Sequence, residues 1–297
     1  MLHDDFFNRK GFLLTLSLFL NMTFLKRIFD FYLRSSIHVA FSVLALVKIT
    51  QYIFGIYDDW PICLFAFFGT IVGYNFVKYD ALARRDPIRL TLSLKAIAAV
   101  SFCALLAAGY YFFHLSFITQ IVSSVFLGLT LLYTLPFFPN RRNARNWTGI
   151  KIYIVALCWV GVTLVLPLLN AGIALTSDLL VKAIQRFILV FVLILIFEII
   201  DLAKDDPHLQ TVPQQIGLKR TKILGICLLL LFCLIESLRN ETTETQLVAN
   251  IIITMTTATF LLFANPQQSK YYTAFWVESI PIFWYVLILF IEKVPVI

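Results

Sequence analysis

The chain has 297 residues, of which 60% are hydrophobic and 14% charged, with a formal net charge of +7. Soluble domains carry about a quarter charged residues, so this composition argues against a soluble globular fold. Apolar runs of roughly 20 residues, enough to cross a bilayer core of about 30 Å, recur along the chain; they are continuous rather than alternating, which speaks against a membrane β-barrel and predicts an all-α membrane protein.

In chain order, GFLLTLSLFL (11–20) is apolar but short, and the basic stretch FLKRIFDFYLR (24–34) follows it. No small-residue cleavage site marks a signal peptide, so residues 1–35 are expected to form an N-terminal interfacial segment. Nine spans are then predicted, roughly at 36–56, 61–79, 91–114, 117–138, 150–170, 177–200, 221–238, 246–264 and 271–292, within a single transmembrane domain over 36–297. Lys and Arg gather in the N-terminal segment and the even loops, for example Arg84 and Arg85, Arg141 and Arg142, Lys219 and Arg220, whereas YDDWP (57–61) is acidic. The positive-inside rule therefore predicts a cytoplasmic N-terminus and cytoplasmic even loops. Because the bases cluster at span ends, the net charge is a topology signal and no nucleic-acid partner is expected.

The five cysteines lie inside apolar runs with no CxxC pair, and the four histidines are scattered. The cysteines are thus expected to act as small apolar filler, and a His-rich metal site is not expected.

Chemistry concentrates at three span ends. In FEIIDLAKDDPHLQTVPQQIG (197–217), Glu198, Asp201 and Asp205 are spaced i, i+3, i+7, one face if the helix continues. Acidic residues at membrane depth are costly and usually functional, and carboxylates that repel one another suit magnesium, which takes one or two carboxylates together with substrate phosphates. A weak echo, NFVKYDALARRDPI (75–88), ends the second span and offers Asn75, Lys78, Asp80 and Asp86. Between them, LLYTLPFFPNRRNARNWTGIK (131–151) carries Tyr133, then Arg141, Arg142 and Arg145; guanidinium forks clamp phosphate oxygens. Each feature has a plainer account, in a solvated helix end, a snorkelling lysine or a topology signal. Taken together, acids and bases on one side of an apolar, aromatic bundle suit a lipid diphosphate.

These residues resemble the UbiA superfamily of intramembrane prenyltransferases over roughly 36–292. The family's second Asp-rich motif is matched by Asp201 and Asp205 followed by Thr211, Pro213 and Gly217, and its Tyr-x-x-Pro-Pro-basic loop by Tyr133, Pro136 and Arg141. The first motif departs from the pattern: aligned on Asn75, it has Phe76, Tyr79 and Ala83 where the family has acids, and Asp80 is one residue out of register. The resemblance implies nine transmembrane helices in a UbiA-like bundle with a lipid-facing apolar cavity. It also implies Mg2+-dependent transfer of an isoprenoid chain from an allylic polyprenyl diphosphate to a lipophilic acceptor. Asp201 and Asp205 would hold the metal with support from Glu198 and Asn75; Lys78, Arg141, Arg142 and Tyr133 would hold diphosphate; Asp80 is a further candidate for support. The expected partners are the diphosphate donor, an acceptor and membrane lipids, and a bacterial inner membrane suits the compact chain. The degenerate first motif keeps a second reading open, a UbiA-like protein that binds a lipid or a partner without catalysis. A transporter fits less well, since transporter sites lie near the membrane midplane.

Overall fold

The computed structural model describes residues 24–85, 91–134, 149, 151–174, 176–239 and 242–293, with the side chains of 80–85, 132–134 and 293 outside the described set. The described residues are helical, in the order α1 Phe24–Arg34, α2 Ile37–Ile53, α3 Trp60–Arg85, α4 Leu92–Phe112, α5 Phe117–Thr134, α6 Lys151–Asn170, α7 Ser177–Asp201, α8 Val212–Ile216, α9 Leu218–Leu238, α10 Glu244–Phe263 and α11 Tyr272–Glu292. Each predicted span overlaps one of these helices, with 135–138 of the fourth lying outside the described residues. Seven are long and apolar enough to cross a membrane; α1 and α2 make an eighth if counted as one bent span, and the apolar part of α5, Phe117–Leu131, is shorter.

The α1–α2 pair bends by 54°. The hinge is Ser36, whose φ of 61° lies in the left-handed region, where a residue with a Cβ cannot propagate an α-helix. Local chemistry sets other boundaries. Thr91, Thr176 and Thr243 cap α4, α7 and α10, each side-chain oxygen accepting from the backbone N–H three residues on, as N-caps do. Gly217 joins α8 to α9 at φ 80°, ψ 159°, a backbone region essentially reserved for glycine. Two helices carry π segments, Gly161–Val165 in α6 and Tyr272–Val277 at the start of α11.

The largest core cluster joins α2, α7, α9, α10 and α11 through residues such as Leu46, Leu189, Ile196, Phe232, Ile253 and Trp284. Helix α7 is the most enclosed span, with 72% of its apolar window buried, whereas α4 has 17% buried. In lipid there is no hydrophobic drive between helices, so close packing and interhelical polar bonds must hold them. Accordingly Gly225 of α9 lets Leu261 of α10 approach to where a Cβ would stand, and Thr50 of α2 donates to the Thr163 carbonyl of the α6 π segment at 2.7 Å. Contacts place the end of α7 beside the start of α8, the start of α9 beside the end of α10, the end of α10 beside the start of α11, and the start of α2 beside the start of α11 and, through Ser36, the end of α3.

Candidate functional site

The acidic end of α7 is built by its termination. The helix stops at Asp201, and the amides of Lys204 and Asp205 both donate to the Asp201 carbonyl, at 2.7 and 2.9 Å. Pro207 forbids continuation, and Asp206 before it is extended at ψ 130°, as residues preceding proline are. Glu198 and Asp201 therefore lie on the helix, while Asp205 sits in the following turn rather than further along a helical face. The three remain neighbours: the Asp205 charge acts on both Glu198 and Asp201. Glu198 is buried and accepts from the Val212 amide at 3.1 Å, so it ties the start of α8 to α7. Asp201 is half open to solvent, with Lys204 at 3.8 Å, and Lys151 is the second cation acting on Glu198 and Asp201. Lys151 and Glu198 line one small recess with Gly149 and Thr211. The Thr-x-Pro…Gly residues shape this end: the Thr211 amide donates to Gln214 Oε1 at 2.9 Å, Pro213 is buried in the first turn of α8, and Gly217 makes the turn into α9.

The end of α3 is organised differently. Asn75 is buried, and its amide donates to the Ser35 carbonyl and to Ser101 Oγ, both at 2.9 Å. Its Oδ1 is enclosed and meets no partner among the described residues. Asn75 is thus a brace between α3, α4 and the α1–α2 hinge. Lys78 donates to Ser36 Oγ at 3.0 Å and faces the charge of Glu278 on α11. The structure therefore gathers Glu198, Asp201 and Asp205 at one place and Lys78 at another, with Asn75 in a helix interface. The side chains of Asp80 and Tyr133, and all of Arg141 and Arg142, lie outside the described residues. Among the described residues no group of three or more His, Cys, Asp or Glu side chains converges as a ready metal site.

Three intramembrane features escaped the sequence reading. One is Glu278, just after the α11 π segment; Ser42 Oγ bonds its backbone carbonyl, and its carboxyl is within Coulombic reach of Lys78 and Tyr32. Another is Arg186, buried in α7, which donates to the Leu46 carbonyl at 3.1 Å and Thr163 Oγ1 at 2.9 Å and lies 5.7 Å over the Trp284 ring. The third is a network around Glu236, which accepts from Lys182 at 2.6 Å, Gln185 at 2.7 Å, Asn250 at 3.0 Å and Arg239 at 3.1 Å. The signal was present in each case: an ionisable residue inside an apolar run is costly enough to demand a partner.

No family model matches the sequence, and no curated protein matches it. Among solved structures, the apo structure of a UbiA homologue from Aeropyrum pernix K1 superimposes with a TM-score of 0.55 at 11% identity, covering 89% of this chain and 98% of that one. The chain is an integral membrane protein with a UbiA-like helical fold, a likeness of fold that covers 89% of the chain.

Proposed function

We propose that the protein transfers an isoprenoid chain from an allylic polyprenyl diphosphate to a lipophilic acceptor, with magnesium, at the cytoplasmic face of a bacterial inner membrane. The observation that carries this reading is the half-open acidic end of α7, where Asp201 and Asp205 repel one another beside Lys151 and Lys204 inside a UbiA-like bundle. This donor set suits magnesium that arrives with its substrate, because that ion is commonly held by one or two carboxylates plus phosphate oxygens. Asp201 and Asp205 would hold it, with Glu198 fixing the turn that presents them, and the metal would offset charge developing on the leaving diphosphate. Lys151, Lys204 and the loop residues Tyr133, Arg141 and Arg142 would bind the diphosphate oxygens. The apolar tail would lie among the aromatic side chains of the bundle, whose ring faces stabilise an allylic cation. Lys78, which donates to Ser36 Oγ, and Asp80 remain candidates for support from α3.

A second reading, lipid or partner binding without catalysis, is favoured by one observation. Asn75, where the family's first acidic motif would begin, is bonded to the α1–α2 hinge and to α4, and its Oδ1 meets no partner among the described residues. Transfer and binding are separated by incubating purified protein with labelled geranylgeranyl diphosphate and magnesium. Binding abolished by Asp201→Asn supports the diphosphate site, and release of diphosphate on adding a membrane lipid extract supports transfer. Binding indifferent to both magnesium and Asp201 contradicts the proposal.

A further inference from the structure

Helix α1 presents a surface that the rest of the bundle does not use. Its inner face packs on the start of α11: Phe29 meets the Tyr271 and Phe275 rings at centroid distances of 5.7 and 5.2 Å, and Leu33 is buried. Asp30 fixes the level of the helix, since its Oδ1 accepts from Lys270 Nζ at 2.9 Å and from the Tyr271 hydroxyl at 2.8 Å. Lys270 and Tyr271 belong to the connection between α10, which ends at Phe263, and α11, which begins at Tyr272. Irregular backbone exposed to its surroundings does not lie within hydrocarbon, so α1 is held at the margin of the membrane, where two spans turn round. The 54° bend at Ser36 carries it out of line with α2. Side chains of α3 hold that hinge: Asn75 donates to the Ser35 carbonyl at 2.9 Å, Lys78 to Ser36 Oγ at 3.0 Å and the Tyr79 hydroxyl to the Arg34 carbonyl at 2.9 Å.

The outer face of α1 has two parts. Phe24, Ile28 and Phe31 are spaced i, i+4, i+7 and form one stripe; Phe24 and Ile28 are 62% and 51% exposed, and Phe31 partly so. Arg27 and Arg34 run alongside it, because Arg27 stands three residues from Phe24 and four from Phe31, and Arg34 three from Phe31. Both arginines are exposed, and neither is in an ion pair among the described residues. Asp30, the one acid of the helix, is taken by Lys270 and Tyr271. An apolar stripe flanked by free guanidinium groups, at the level where spans end, matches a bilayer twice over. Acyl chains suit the stripe, and the guanidinium fork suits phosphate oxygens. A zwitterionic headgroup sets its own cation against the arginines, whereas an anionic one does not. We propose that the outer face of α1 binds anionic phospholipid, with Arg27 and Arg34 on the headgroup phosphate and Phe24 and Ile28 among the acyl chains. This surface does not rest on the prenyl-transfer reading.

The test uses the purified full chain, equilibrated with equal amounts of dioleoylphosphatidylglycerol and dioleoylphosphatidylcholine and read by native mass spectrometry. Each base near an anionic lipid surface contributes roughly fivefold. Phosphatidylglycerol should therefore be retained at least about tenfold over phosphatidylcholine, and Arg27→Gln with Arg34→Gln should cut that preference at least about fivefold at an unchanged melting midpoint. Lys219→Gln with Arg220→Gln removes the same charge from exposed positions at the start of α9 and should leave the preference in place. In nanodiscs of wild-type protein, phosphatidylglycerol carrying a diazirine near its headgroup should crosslink within residues 24–34, a readout that needs no variant to fold. Equal retention of the two lipids, a loss in the α9 pair as large as in the α1 pair, or no crosslink within 24–34 would each overturn the proposal. Retention that survives removal of magnesium and Asp201→Asn supports α1 as the site. Retention lost with Asp201→Asn would assign the lipid to the end of α7 and overturn it. Magnesium-dependent binding of labelled geranylgeranyl diphosphate, measured in the same preparation, should be unchanged by the α1 pair, so the two proposals can fail separately.

Discussion

The two ends of α7 use the same kinds of residue for opposite purposes. Toward its start, Lys182 meets Glu236 with side chains 4% and 2% exposed, and every oxygen of Glu236 is taken up by Lys182, Gln185, Asn250 or Arg239. Arg239 extends the network to Asp178 at 3.5 Å. At its far end, Asp201 is 49% exposed beside a Lys204 that is 69% exposed, and the nearest carboxylate repels it. The first arrangement is closed and its charges are paired, which is how charges survive among apolar helices, although Gln185 Oε1 meets no hydrogen-bond partner among the described residues. The second is open and incompletely compensated, as an ion or ligand site is before its ligand arrives. One helix thus anchors the bundle at one end and leaves charge open to solvent at the other.

That contrast breaks most visibly at Glu236. Glu236→Ala leaves Lys182 and Arg239 buried without their acid and should cost about 3–5 kcal/mol, read as a fall in thermal or denaturant midpoint in detergent. The paired change Lys182→Met with Glu236→Leu should recover much of that loss, because apolar side chains of similar volume often replace a buried ion pair at little cost. Gly217→Ala forces a Cβ onto a backbone that favours glycine and should cost about 1–3 kcal/mol, while loosening the turn that follows the acidic end. Asp201→Asn should change stability by less than about 0.5 kcal/mol, as surface substitutions do, yet weaken diphosphate binding at least tenfold. The smallest effect is expected at Lys270→Ala: its 2.9 Å bridge to Asp30 is largely exposed, and such pairs contribute below about 1 kcal/mol.

Much of the fold was legible because membrane spans are written as continuous apolar runs; the predicted 177–200 became Ser177–Asp201. The acids of α7 were legible for the same reason, standing out against such a run. The helical spacing of Glu198, Asp201 and Asp205 misled at its last member, since Pro207 acts back through Asp206 to end the helix early. The packing role of Asn75 was not legible because it depends on Ser35 and Ser101, residues 40 and 26 positions away. Glu278, Arg186 and Glu236 were visible as letters, but their meaning lies in partners on other helices. The π segments at Thr163 and before Glu278 were not read from the sequence, although Pro167 and Pro281, which lack an N–H, follow them closely.

The central claim is that the open end of α7 is a magnesium-dependent diphosphate site. The most direct measurement is binding of labelled geranylgeranyl diphosphate to the purified full chain, with and without magnesium, in wild type and Asp201→Asn, with Glu236 intact so that the bundle stays anchored. The account predicts binding that requires magnesium and is lost in the variant while the melting midpoint is unchanged. Binding that persists without magnesium and without Asp201, or no binding by a folded wild-type protein, would contradict it.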